Sequence, residues 1–129
     1  MNTESAASLV DVTFLMPCLN EAQSLPVCIE RCREALKALE SKGFTGEILI
    51  SDNGSDDGSQ TIALERQCRV VNCERRGYGA ALGFGCRNAQ GRYIVMGDSD
   101  ASYDFAEGVA MVEALEEGFD LCMGNRFKG

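Results

Sequence analysis

The sequence predicts an α/β domain built on a mostly parallel sheet with flanking helices. Short apolar runs alternate along the chain with segments whose apolar residues recur every three or four positions, the pattern of strand followed by helix. The length of 129 residues supports one domain with its own core. A hydrophobic fraction of 45% and a charged fraction of 25% belong to a globular chain, not a disordered one.

The elements follow in order. Residues 12–16 (VTFLM) read as a buried strand ending at Pro17. Leu25, Cys28, Ile29, Cys32, Ala35, Leu36 and Leu39 then form a helical stripe, with Ser24 as N-cap, Pro26 in the first turn and Gly43 at the C-terminal cap. Residues 47–51 (EILIS) are a second strand, and residues 53–59 (NGSDDGS) are dense in turn formers. A short helix is expected through Ile62 and Leu64 to Gln67, and a third strand at residues 69–72. Residues 77–88 are rich in Gly and Ala and read as a helix, followed by a fourth strand at residues 93–96. Phe105, Val109, Val112 and Leu115 mark a further helix closed by Gly118, and residues 119–123 a fifth strand. Residues 1–10 are expected as a flexible tail and residues 11–129 as the folded domain.

Composition excludes several classes. The 12 basic and 20 acidic residues give a net charge of −8, and Arg75-Arg76 is the one basic doublet, so there is no footprint for nucleic acid. No run approaches the ~18 apolar residues of a membrane span. The polar N-terminus lacks the basic and apolar regions of a signal peptide. The 7 cysteines, an odd and scattered number, fit free thiols in a reducing cytoplasm. Cys28 and Cys32 lie one helical turn apart, but no second pair has ligand spacing, and they read as small core residues. With no His in the chain, Ser-His-Asp and Cys-His chemistry are absent, and proton transfer falls to carboxylates, Lys, Tyr or the substrate.

The polar residues fall at the carboxyl ends of the strands, where open α/β sheets bind ligands. Pro17-Cys18-Leu19-Asn20-Glu21 follows the first strand, Asp52-Asn53-Gly54-Ser55 the second and Asp98-Ser99-Asp100 the fourth. Asp98 and Asp100 are two apart, so in extended chain they point the same way, and their repulsion is relieved by a shared divalent cation with phosphate oxygens. A solvated acidic turn accounts for them equally well. Asp52 has two readings, as an acceptor for a base N–H or as the residue that starts a turn. Asn20 and Glu21 read either as ligand contacts or as loop and capping residues. Gly77-Tyr78-Gly79-Ala80-Ala81-Leu82-Gly83 nearly matches a dinucleotide fingerprint, but its third glycine comes one position late; close packing of helix on sheet explains the same small residues.

Together these segments resemble the N-terminal half of a family 2 inverting glycosyltransferase of the GT-A fold. VTFLMPCLNEAQSL is similar to that family's opening strand and Pro-x-x-Asn-Glu turn, and EILISDNGSDDGS to its Asp-Asp-Gly-Ser segment. GYGAALGFGCRNAQGRYIVMGDSDASYDF resembles its Gly-rich helix and Asp-x-Asp strand end, and DLCMGNRFKG the stretch beyond. DSDASYDF is most similar to the dolichyl- or polyprenyl-phosphate sugar synthases. The resemblance implies a Rossmann-like half-domain and metal-dependent transfer of a sugar, with inversion, from a UDP- or GDP-sugar to an acceptor such as polyprenyl phosphate. Asp98 and Asp100 would then hold Mg or Mn, and Pro17, Asn20, Glu21, Asp52, Asn53, Gly77 and Asp98 would form the nucleotide site. Asn53 departs from the Asp common at that position. In that family the acceptor site and catalytic base come later than residue 129, so the chain is expected to be nearly inactive alone and to self-associate through its uncovered sheet. The location implied is cytoplasmic, with the whole protein at the cytoplasmic face of a membrane in the cell envelope. Two other readings compete: a haloacid-dehalogenase-like phosphatase using Asp98 as nucleophile, and a non-catalytic nucleotide-binding module.

Overall fold

The computed structural model describes residues 10–97. Asp98, Asp100, the helix expected from Phe105 to Leu115 and the strand expected at residues 119–123 lie outside the described residues. Within them the chain alternates β1 (Val10–Cys18), α1 (Leu25–Glu40), β2 (Gly46–Asp52), α2 (Ser59–Glu65), β3 (Arg69–Asn72), α3 (Tyr78–Asn88) and β4 (Gly91–Met96). The strands form one sheet in the order β3-β2-β1-β4, and every neighbouring pair is parallel. This is the α/β architecture that the alternating apolar patterns predict.

β1 is central, and its residues from Val12 to Cys18 are all buried. That continuity is expected of a strand covered on both faces. Val12, Phe14, Met16 and Cys18 pack with the α1 stripe of Leu25, Ile29, Cys32 and Leu39. Cys28 and Cys32 are among these core residues. Leu15 points to the opposite face, where α3 lies so close that a Cβ at Gly85 would stand 2.4 Å from Leu15 Cδ1. Ser51 Oγ donates to the Ala81 carbonyl of α3 at 2.7 Å on the same face. The small residues of α3 thus serve close packing on the sheet. Burying each large aliphatic side chain of the α1 stripe contributes about 1.5–3 kcal/mol.

Three local expectations are corrected. β1 does not end at Pro17 but runs through Cys18. Leu15 accepts from Gly97 on the β4 side, while the Cys18 carbonyl accepts from Asn53 on the β2 side. Residues two apart share a side in a parallel ladder, so the hydrogen-less Pro17 nitrogen faces the β4 side, past the last β1–β4 pair, Leu15↔Met96. Ser24 occupies the N-cap position of α1 without a side-chain cap bond, because its backbone is already helical at φ −93°. Its hydroxyl instead donates to Glu21 Oε1 at 3.3 Å. α2 stops at Glu65, and Gln67 turns the chain with φ +65°.

The amino ends of the strands are fastened by Glu47 of β2. It accepts from Thr13 Oγ1 of β1 at 2.6 Å, Arg69 Nε of β3 at 2.8 Å and the Gln90 N–H before β4 at 2.8 Å. Thr13 Oγ1 in turn accepts the Gly91 N–H at 2.9 Å. One carboxylate therefore joins all four strands at the end away from the polar turns.

Candidate nucleotide site at the carboxyl edge

The connections from β1 lead to β2 and β3 on one side, and the chain then crosses to β4 on the other. This makes the β1/β4 boundary the switch point, and the crevice outside its carboxyl end is where such sheets bind ligands. Pro17 and Cys18 end β1 there, and Gly97 N donates to the Leu15 carbonyl at 3.0 Å, so β4 brings the chain to that crevice as far as Gly97.

The turn after β1 is tied to the turn after β2 by reciprocal bonds. Asn20 N–H donates to Ser55 Oγ at 2.8 Å, Glu21 N–H to Ser59 Oγ at 3.1 Å and Ala22 N–H to Asp57 Oδ2 at 3.0 Å. In return the Asp56 N–H donates to Asn20 Oδ1 at 2.9 Å. Asn20 has φ +55°, a left-handed conformation that Asn tolerates far better than most side chains. Glu21 is half-buried and Asn20 exposed.

Asp52 is fully buried beneath the turn it organises. Its Oδ2 accepts from Gly54 N at 3.0 Å, Ser55 N at 2.8 Å and Gln60 Nε2 at 2.7 Å, and its Oδ1 from Ser55 Oγ at 2.6 Å. Burial works to raise its pKa, but the bonds from Ser55, Gln60 and Gly54 outweigh burial and hold the carboxyl below its ordinary range. The Cys18 thiol, by contrast, is pushed up by burial, assisted by the Asp52 charge and opposed by hydrogen bonds from Ser59, Glu21 and Ser55.

Asn53 is also buried, and it faces the third turn instead of the ligand crevice. Its Nδ2 donates to the carbonyls of Cys73 at 3.1 Å and Arg75 at 2.8 Å, while Oδ1 accepts the Gly77 N–H at 2.9 Å. Two donors to two carbonyls explain why an amide stands here and not a carboxylate. Gly77 holds φ +120°, open to glycine and strained for other residues.

The structure thus brings Pro17, Asn20, Glu21 and Asp52 to one edge and sets Asn53 and Gly77 beside it, while Asp98 lies outside the described residues. The sequence reading missed Ser55, Ser59 and Gln60, which join these turns. The turn-former segment 53–59 pointed to Ser55 and Ser59; nothing local marked Gln60.

Among the described residues no group of three His, Cys, Asp or Glu side chains is placed to hold a metal ion. No helix among them is long and apolar enough to cross a membrane.

Comparison with known proteins adds the remaining findings. The model of the family described as Glycosyl transferase family 2 matches residues 13–129. A low-salt glycan biosynthesis hexosyltransferase of Haloferax volcanii is 34% identical over 119 residues, covering 92% of this chain and 28% of that protein. A dolichyl-phosphate beta-glucosyltransferase of Mus musculus is 32% identical over 120 residues, covering 83% of this chain and 35% of that protein. Glucosyl-3-phosphoglycerate synthase from Mycobacterium tuberculosis, solved with Mn2+, uridine-diphosphate and phosphoglyceric acid, superposes with a TM-score of 0.56 at 27% identity. That match covers 74% of this chain and 35% of the other. The chain therefore spans about a third of the length of these relatives.

Proposed function

The chain belongs to glycosyl transferase family 2, and we propose that it supplies the donor half of an enzyme that moves a sugar, with inversion, from a UDP- or GDP-sugar to a phosphate-bearing acceptor such as polyprenyl phosphate. The observation that carries this reading is the switch-point crevice: the interlocked turns after β1 and β2 stand at the same edge as the end of β4, whose last residue, Met96, comes two before Asp98 in the sequence. Support for the chemistry comes from the relatives. One is solved with uridine-diphosphate and Mn2+, and two are named for, or solved with, acceptors that bear a phosphate.

In this reading Pro17, Asn20 and Glu21 line the nucleotide pocket from the β1 side. Asp52, buried beneath its turn, holds Gly54, Ser55 and Gln60 in place and reaches a base N–H only if that turn opens around the nucleotide. Asn53 and Gly77 act from beneath by fixing the third turn. Asp52 is engaged by four protein donors, so the ion falls to Asp98 and Asp100, whose carboxylates suit a hard cation. Mg or Mn bound there supplies positive charge against the departing diphosphate. We place the catalytic base and acceptor contacts outside this donor half, and the whole enzyme at the cytoplasmic face of a membrane.

Calorimetric titration of the intact protein with UDP, GDP, UDP-glucose and GDP-mannose, with and without Mn, tests the reading. The expected result is tight binding of one base, dependent on metal and lost in Asp98→Ala/Asp100→Ala. Binding of no nucleotide, or equal binding without metal and in the double variant, would overturn it.

A further inference from the structure

We propose that a second cleft, between the β3–α3 turn and the outer face of α3, binds a phosphate-bearing anion without a metal ion and apart from the donor crevice. The cleft has a volume of about 800 Å³, a size ordinary for small-molecule sites. Its walls carry Arg75 and Arg76 from the turn and Arg87 from the last turn of α3. Gly79, Gly83 and Arg87 are four residues apart and so share one helix face. Ala81 and Gly85, the buried positions of α3, take the face toward the sheet.

Charge is the first argument. Three guanidinium groups meet a single lining carboxylate, Glu74, on a chain whose net charge is −8. Arg69 and Arg92, by contrast, pair with Glu47 and Asp11. Among the described residues Arg75, Arg76 and Arg87 pair with no carboxylate. Positive charge that the described carboxylates leave unpaired, in an acidic protein, is a place for an anion.

Geometry is the second. The Arg75 carbonyl and the Gly77 N–H are both fastened by Asn53, so the two turn arginines spring from a fixed backbone. The Arg87 guanidinium lies 6.0 Å from the centre of the Phe84 ring, whose face favours a cation there. The floor is open backbone: a Cβ at Gly79 would meet nothing within 4 Å, and one at Gly83 only Arg87 Nη1 at 3.7 Å. Planar guanidinium forks match phosphate oxygens two by two, and several of them neutralise a dianion without a divalent ion. A phosphate of this kind has two sources, a soluble phosphorylated molecule or a lipid headgroup.

The test uses the intact protein in EDTA, which silences a metal-dependent donor site. Calorimetry with inorganic pyrophosphate is expected to show binding that weakens between about 50 and 200 mM salt. Each of Arg75→Gln and Arg87→Gln should weaken it about tenfold or more. Metal-dependent UDP binding in Arg87→Gln should match wild type, which separates this site from the donor reading. Sedimentation with vesicles of phosphatidylcholine alone, or mixed with phosphatidic acid, distinguishes the sources. Binding to the phosphatidic acid vesicles that is lost in Arg87→Gln assigns the cleft to a lipid headgroup, and pyrophosphate binding without vesicle binding assigns it to a soluble ligand. Binding to neither probe, or undiminished binding in Arg87→Gln, overturns the proposal.

Discussion

Asn53 Oδ1 accepts the Gly77 N–H at 2.9 Å, and the same side chain donates to the Cys73 and Arg75 carbonyls. Replacing the amide by a carboxylate would set oxygen against oxygen at both carbonyls. Asn53→Asp is therefore expected to lose about 2–4 kcal/mol in urea denaturation at neutral pH. Part of that loss should return on acidification, because the protonated acid regains a donor and its folded-state pKa is raised. A wild-type midpoint for Asn53→Asp would show that the amide does not fasten the turn.

Asn20 combines a left-handed backbone with an acceptor for the Asp56 N–H. Asn20→Ala removes the acceptor and leaves a strained φ, at an expected cost of about 1–3 kcal/mol. Asn20→Gly removes the acceptor alone, and thermal melts should place it between wild type and Asn20→Ala. Glycine melting below alanine would refute the backbone argument.

Acid should loosen the sheet through Glu47 and Asp52. Burial raises the Glu47 pKa, but bonds from Arg69, Thr13 and the Gln90 N–H more than reverse this and hold it below the ordinary value. Asp52 is held low in the same way. With folded values below unfolded ones, the folded state binds fewer protons, so this stability is present above the unfolded pKa and lost as pH falls through the folded one. Stability should stay level from neutral pH down to about pH 5 and decline below about pH 4. Glu47→Gln should be less stable at neutral pH by about 1–2 kcal/mol and show a shallower acid limb. An unchanged limb would assign the acid sensitivity elsewhere.

Two glycine-to-alanine changes should differ in sign. A Cβ at Gly91 would lie 2.5 Å from Thr13 N and 2.7 Å from the Val12 carbonyl carbon, both backbone atoms that cannot step aside. Gly91→Ala is expected to cost about 2–4 kcal/mol or to prevent folding. Gly79 lies inside α3 with nothing within 4 Å, and Gly79→Ala should stabilise by about 0.5–1 kcal/mol. Equal effects in denaturant titration would contradict the packing around β1.

Apolar spacing was enough to find β1, β2 and α1, because the sheet buries its two central strands on both faces and α1 repeats its stripe over four turns. Sheet context decided what local signals left open. Pro17 stays in β1 because register turns its nitrogen away from β2, and register is not written in the residues around Pro17. Asp52 was open between base contact and turn initiation, and its bonds to Gly54 and Ser55, two and three residues on, are the turn chemistry that the segment advertises. The partners of Asn53 lie 20 to 24 residues away, and those of Glu47 as far as 43, so no window along the chain reveals either. Asp98 and Asp100 are legible as a motif and lie outside the described residues.

The bonds from Asn20, Glu21 and Ala22 to Ser55, Ser59 and Asp57 also bear on how such sequences diverge and recombine. Each turn is half of a lock whose other half sits more than thirty positions away. A chimaera that imports one turn from a relative inherits a key cut for a different lock, whereas exchanging both together, with the helix between them, moves a self-sufficient cassette. Drift at these positions is therefore expected to proceed in correlated steps, and donor preference should transfer between relatives with the pair and not with either turn alone.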